Sequence, residues 1–110
     1  MAEYKHYITQ TQENGIVMIS EDVVAAIAEH ALNDVEGAAL LRDIKNWNKG
    51  IKILIAEDNS VAISINITVT FGYSVVEVAA NAQTAVTASV ENRTGVKVSE
   101  VNVNICGIAK

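Results

Sequence analysis

From Val61 to Phe71 the chain alternates strictly. Val61, Ile63, Ile65, Ile67, Val69 and Phe71 fall on one side, and Ala62, Ser64, Asn66, Thr68 and Thr70 on the other. A period of two marks a half-buried strand, because successive side chains leave opposite faces of a sheet. Ile51, Ile53 and Ile55 alternate in the same way upstream, and Glu57-Asp58-Asn59-Ser60 supplies turn residues between the two runs. Residues 51–71 therefore read as a β-hairpin. After Gly72 the period lengthens. Ser74 and Glu77 have the spacing of a capping box, and Val75, Ala79, Ala82, Val86 and Val90 recur as a helical stripe. This helix is expected to run to Thr94, with Gly95 as its left-handed stop.

An earlier helix is signalled by Val24, Ile27, Ala28, Ala31 and Val35, with Ser20 as N-cap and Glu21 and Asp22 set against the positive end of the helix dipole. Gly37 is its expected stop. Before it, Gly15–Ser20 is a short apolar run suited to a strand or extended arm, and residues 1–14 read as a polar, poorly ordered lead-in. Leu40, Leu41, Ile44 and Trp47 have near-helical spacing, which leaves 38–50 as either a short amphipathic helix or an ordered loop. At the far end Val96 and Val98 hold one phase and Val101, Val103 and Ile105 the other, which predicts a strand with a bulge near Ser99–Glu100.

These elements give the order α-β-β-α-β. An eleven-residue strand spans roughly 36 Å and a twenty-residue helix roughly 30 Å. The second helix can therefore carry the chain back so that the last strand runs parallel to the long one, by a right-handed crossover. The expected fold is α+β: one small domain over 15–110, with two helices packed on one face of a mixed three-stranded sheet.

Composition narrows the function. Half of the 110 residues are hydrophobic, mostly Val, Ile and Ala, and there are only one Phe, one Trp and three Tyr. That suits a closely packed two-layer core better than an aromatic-lined ligand pocket. The N-terminus lacks an apolar signal-peptide core and no apolar run is long enough to cross a bilayer, so direct membrane insertion is not expected. The lone Cys106 cannot form an intramolecular disulfide, in keeping with a reducing cytoplasm.

Catalytic chemistry finds little footing. Cys106, His6 and His30 are far apart in sequence and make no zinc-binding set. Glu21, Asp22, Glu29, Asp34 and Glu36 read as a solvated helix face. Glu57-Asp58-Asn59-Ser60 lacks the ligand spacing of a calcium loop, and the six glycines sit singly at element boundaries. No enzyme, cofactor or metal is expected.

Two stretches suit contact with a partner. Arg42, Lys45, Lys49 and Lys52, with Trp47 among them, make up half of the Lys and Arg of the chain. They read either as a surface helix with Trp47 packed inward or as a loop that contacts protein or nucleic acid. A net charge of −5 and the lack of a GxxG clamp weigh against nucleic acid, which stays the alternative function. The second stretch is the polar side of the strands: Ser64, Asn66, Thr68, Thr70, Asn102 and Asn104. The Lys and Glu that usually keep a sheet wet and solitary are scarce there.

The segments GIVMISEDVVAAIAEHALNDVEGAA, NITVTFGYSVVEVAANAQTAV and ENRTGVKVSEVNVNICGI resemble the alkaline-shock-protein family of Gram-positive bacteria, whose members are also described as general or envelope stress proteins. The resemblance runs from Gly15 to Ile108. Its most specific parts are the strand–FGYS–helix junction, Gln83 and the TG…VNV ending. It implies a small, cytoplasmic, non-enzymatic protein with no catalytic residue or cofactor. It also implies a protein partner, in some members membrane-anchored, and a role in envelope stress. Self-association or docking on such a partner is the expected mode of action, with Arg42, Lys45, Trp47, Lys49, Asn66, Thr68, Asn102 and Asn104 as the contact residues.

Overall fold

The computed structural model describes residues 4–41 and 50–110. In chain order the elements are β1 (Tyr7–Gln12), β2 (Gly15–Ser20), α1 (Glu21–Asn33), β3 (Ala38–Leu40), β4 (Ile51–Ile55), β5 (Val61–Thr70), α2 (Val75–Thr94) and β6 (Val98–Ala109). The α+β class holds, but the expected single three-stranded sheet does not. The described residues form two sheets: the β1–β2 ribbon, and a four-stranded sheet built around β5.

Within the larger sheet β6 lies parallel to β5 along its whole length. The other edge of β5 is shared. β4 pairs antiparallel with Val61–Ile65, and β3 pairs antiparallel with Ile67–Val69. They meet at Asn66, whose N–H donates to the Gly50 carbonyl and whose carbonyl accepts from the Leu41 N–H, both at 2.8 Å. β3 leaves no signal in the sequence because three residues, Ala38–Leu40, are too few to show a period. The expectation of a helix or loop over 38–50 otherwise falls on residues outside the described ones.

The N-terminal lead-in is also different from the expectation. Residues from Tyr7 onward form an antiparallel ribbon with β2, from Tyr7 opposite Ser20 to Gln12 opposite Gly15. Ile8 is fully buried in the main core. The turn before β5 holds the ribbon from the side. Asn59 sits in the left-handed region at φ 70°, its Oδ1 accepts from the Thr9 N–H at 3.3 Å, and its Nδ2 donates to the Thr9 carbonyl at 3.1 Å. One amide side chain thus bonds Thr9 as a neighbouring strand would. Gln10 adds a second tie, donating to the Thr94 carbonyl at 2.6 Å.

The core lies between the helices and one face of the sheet. Ile63, Ile65, Ile67 and Val69 are fully buried there, against Val24, Ala28, Ala31 and Leu32 of α1 and Val78, Ala82, Val86 and Val90 of α2. Three caps are as expected: Ser20 accepts from the Val23 N–H, Ser74 accepts from the Glu77 N–H, and Gly95 ends α2 at φ 72°. The end of α1 is not: the helix stops at Asn33 with Asp34 as its C-cap, whose N–H bonds the Ala31 and Leu32 carbonyls, short of the expected Gly37. The buried stripe of α2 advances by fours, 78-82-86-90-94, instead of starting at Val75, which is exposed. Phe71 is likewise exposed, because β5 ends at Thr70 and Phe71 belongs to the turn closed by the Tyr73 N–H on the Thr70 carbonyl. The bulge expected near Ser99–Glu100 is present. Val61 faces Val98 while Ala62 faces Glu100, and a second shift steps over Cys106.

Candidate interaction surface

Because both helices take the same side of the sheet, no layer of the described residues covers the other side. Register decides which residues share it. Ser64 stands opposite Asn102, Asn66 opposite Asn104, and Thr68 opposite Gly107, and paired residues point to one face. From β4, Lys52 and Leu54 join through their partners Ser64 and Ala62. Four of the sequence-predicted contact residues, Asn66, Thr68, Asn102 and Asn104, are thus gathered on one open surface. The other four, Arg42, Lys45, Trp47 and Lys49, lie outside the described residues.

The surface is polar but almost uncharged. Ser64, Asn66 and Thr68 on the central strand are partly buried by their neighbours, while Asn102 and Asn104 on β6 are exposed. The Asn104 amide donates to Asn66 Oδ1 at 2.9 Å across the strands, and the Asn102 amide donates to Glu100 Oε2 at 2.6 Å. Among the described strand residues on this face only Lys52 and Glu100 carry charge. Neutral amides that already bond one another lose little on leaving water, since each has a partner in hand. Leu54 and Ala62 add apolar area that sequence alternation could have assigned here, as both are out of phase with the buried isoleucines.

Catalytic groups are not brought together. Cys106 is exposed at the second register shift of β6, and His30 is exposed on α1. Among the described residues no three His, Cys, Asp or Glu side chains converge on a metal position. A cleft of about 510 Å³ runs between α1 and the β4 edge, with Glu21, Asp22 and Glu29 on its helix wall and Leu40, Ile51 and Ile53 on its floor. In the β4–β5 turn, the Ser60 hydroxyl and N–H both bond Asp58 and hold its carboxyl below the ordinary carboxylate range. This is turn stabilisation; Asp58 faces solvent.

Residues 9–110 match the alkaline shock protein 23 family, of cell envelope-related function. The chain belongs to that family. An uncharacterized protein, YqhY, of Bacillus subtilis strain 168 is 32% identical to this alkaline-shock family member over 105 residues, covering 86% of this chain and 77% of the relative. The uncharacterized protein Spy1535 of Streptococcus pyogenes serotype M6 is 30% identical over 106 residues, covering 89% and 82%. No solved structure matches this family member significantly. Among its described residues no helix is long and apolar enough to cross a membrane.

Proposed function

We propose that the protein is a non-catalytic scaffold or adaptor in cell-envelope homeostasis under stress, which presents its open sheet face to a protein partner. The partner is another copy of the chain or a membrane-anchored protein that holds it at the envelope. One observation carries the reading: the central strand of the sheet is buried to 0% at every core position, while its other side, lined by residues that are cheap to desolvate, is left uncovered by the described residues. A sheet exposed on one side is commonplace when Lys and Glu keep it wet. Here Asn66, Asn104, Ser64 and Thr68 take their place. Membership of an envelope-related family supports the cellular setting. The nucleic-acid alternative rests on Arg42–Lys52, of which only Gly50, Ile51 and Lys52 are described, and it forms no part of the proposal.

The test is a double substitution, Asn66→Lys with Asn102→Lys, which puts two cations on the face without touching the core. Size exclusion with light scattering, and washing of membrane fractions from cells that make the protein, are compared with the unsubstituted chain. Loss of assembly or of membrane retention is expected. A variant that assembles and is retained like the parent removes this face from consideration.

A further inference from the structure

The outer edge of β6 is guarded at one end and bare at the other. Among the described residues β6 pairs with β5 alone, so the main-chain groups on its far side have no strand partner there. Two side chains of α2 occupy part of that edge. The Glu91 carboxylate accepts from the Val98 N–H at 3.0 Å, and the Gln83 amide donates to the Val101 carbonyl at 3.1 Å. Val98 and Val101, on either side of the bulge, therefore face away from β5. By alternation Val103 and Ile105 face the same way, and among the described residues nothing bonds their outward N–H and carbonyl groups. Folded proteins blunt such edges with charge, proline or a cover. From Val101 to Ala109 β6 has no charged residue, and the chain has no proline.

We propose that this bare stretch is completed by a second copy of the chain, paired antiparallel about a two-fold axis at Asn104. The inference rests on the scaffold reading above and names one partner and one edge for it. Val103 of each copy then faces Ile105 of the other, and each facing pair exchanges both of its main-chain hydrogen bonds. Gln83 and Glu91 stop the ladder on either side. The pairing is short and isologous, so it closes as a dimer.

Three features favour a second copy over a foreign strand. At the axis the two Asn104 side chains meet on the open face. The existing Asn104–Asn66 bond of 2.9 Å becomes part of a row of four amides across the joined sheet. Charge is complementary end to end. Glu91 and Glu100 flank the start of β6 and Lys110 follows its end, so antiparallel overlap brings each lysine towards the glutamates of the other copy. A chain of net charge −5 needs such an arrangement to approach itself. Finally, Thr84, Thr87 and Ala88 on the same flank of α2 as Gln83 and Glu91 are small and uncharged, which leaves room for the second helix.

Disulfide trapping decides the question. Asn104→Cys in a Cys106→Ser background is expected to give a covalent dimer on oxidation, since directly opposed, non-hydrogen-bonded residues bring Cβ atoms within bridging range. Asn66→Cys in the same background, one strand further from the axis, is expected not to cross-link. Val103→Pro removes an outward N–H that β5 does not use. By sedimentation velocity it should raise the dimer Kd about 30-fold or more, as two bonds per dimer are lost. If Asn66→Cys cross-links and Asn104→Cys does not, the copies meet face to face; the edge pairing is overturned and the scaffold reading stands. If the parent chain is monomeric at millimolar concentration and neither cysteine cross-links, the self-pairing is overturned. Docking on a different protein is then judged by the membrane-retention test alone. Should Val103→Pro fail to fold, the cross-linking pattern at positions 104 and 66 still separates edge pairing from face contact.

Discussion

Removing the Asn59 side chain should release the N-terminal ribbon from the rest of the molecule. In Asn59→Ala the Thr9 N–H and carbonyl lose their partners, and so does the Lys5 ammonium that Oδ1 accepts from at 2.6 Å. The two main-chain bonds are worth about 1 kcal/mol each after exchange with water. The lysine bond, to a flexible head at the surface, adds little. Alanine also has to hold a left-handed φ of 70°, which asparagine tolerates and alanine does so only at a cost of about 1 kcal/mol. The total is about 3 kcal/mol, or a fall in Tm of roughly 10 °C for a domain of this size. Asn59→Gly separates the parts: it keeps the backbone conformation without strain and should lose about 2 kcal/mol. Urea denaturation gives both values, and hydrogen exchange at the Thr9 amide reports the local effect. If Asn59→Ala leaves both the urea midpoint and Thr9 protection unchanged, the ribbon is held by something other than this side chain and the reasoning fails.

Gly37 is the next point of sensitivity. It has φ +85°, and a Cβ there would lie 2.7 Å from the Tyr73 ring, so Gly37→Ala should lower stability by about 2 kcal/mol or more in thermal melts. Tyr73→Ala in the same background should recover only the part due to contact with the ring. Asp58 supplies a pH signature. Its carboxyl is depressed by the Ser60 hydroxyl and N–H, so the folded state is favoured above the unfolded pKa and that advantage fades as pH falls through the folded one. Between about pH 5 and pH 2 the parent should therefore lose slightly more Tm than Asp58→Asn, while an NMR titration of Asp58 should show a midpoint below 3.8.

Much of the main sheet is legible in the sequence because its residues serve only one demand. β5 alternates without a break because one side meets the helices and the other meets no layer of the described residues, and that contrast is a sequence pattern. The Ser20, Ser74 and Gly95 caps are equally plain, since each answers a local main-chain requirement. β1 is not legible. Thr9, Gln10, Thr11 and Gln12 form a ribbon largely in solvent, so pairing there demands no hydrophobic side, and only Ile8 reaches the core. The α2 stripe is legible at Ala82, Val86 and Val90, but its start is not: alanines lie on several sides of the helix, and the buried first member is Val78, while Val75 sits exposed in the first turn. For the candidate surface, the residues can be read from alternation but their partnering cannot. Asn66 faces Asn104 only because the bulge at Ser99 moves β6 by one position, and nothing in composition fixes that offset.

The parallel pairing of β5 with β6 has a consequence for how the chain is made. All of α2 separates the two strands, so during synthesis β5 leaves the ribosome with β3 and β4 available on one side and nothing on the other. Its isoleucines stay without their full surroundings until Val98 and Val101, which are buried in the finished protein, have been translated. Such late, distant contacts make folding slow and leave apolar strand exposed meanwhile. The order of synthesis thus leaves the apolar side of β5 incompletely packed until the last strand has emerged, which its small size does not suggest.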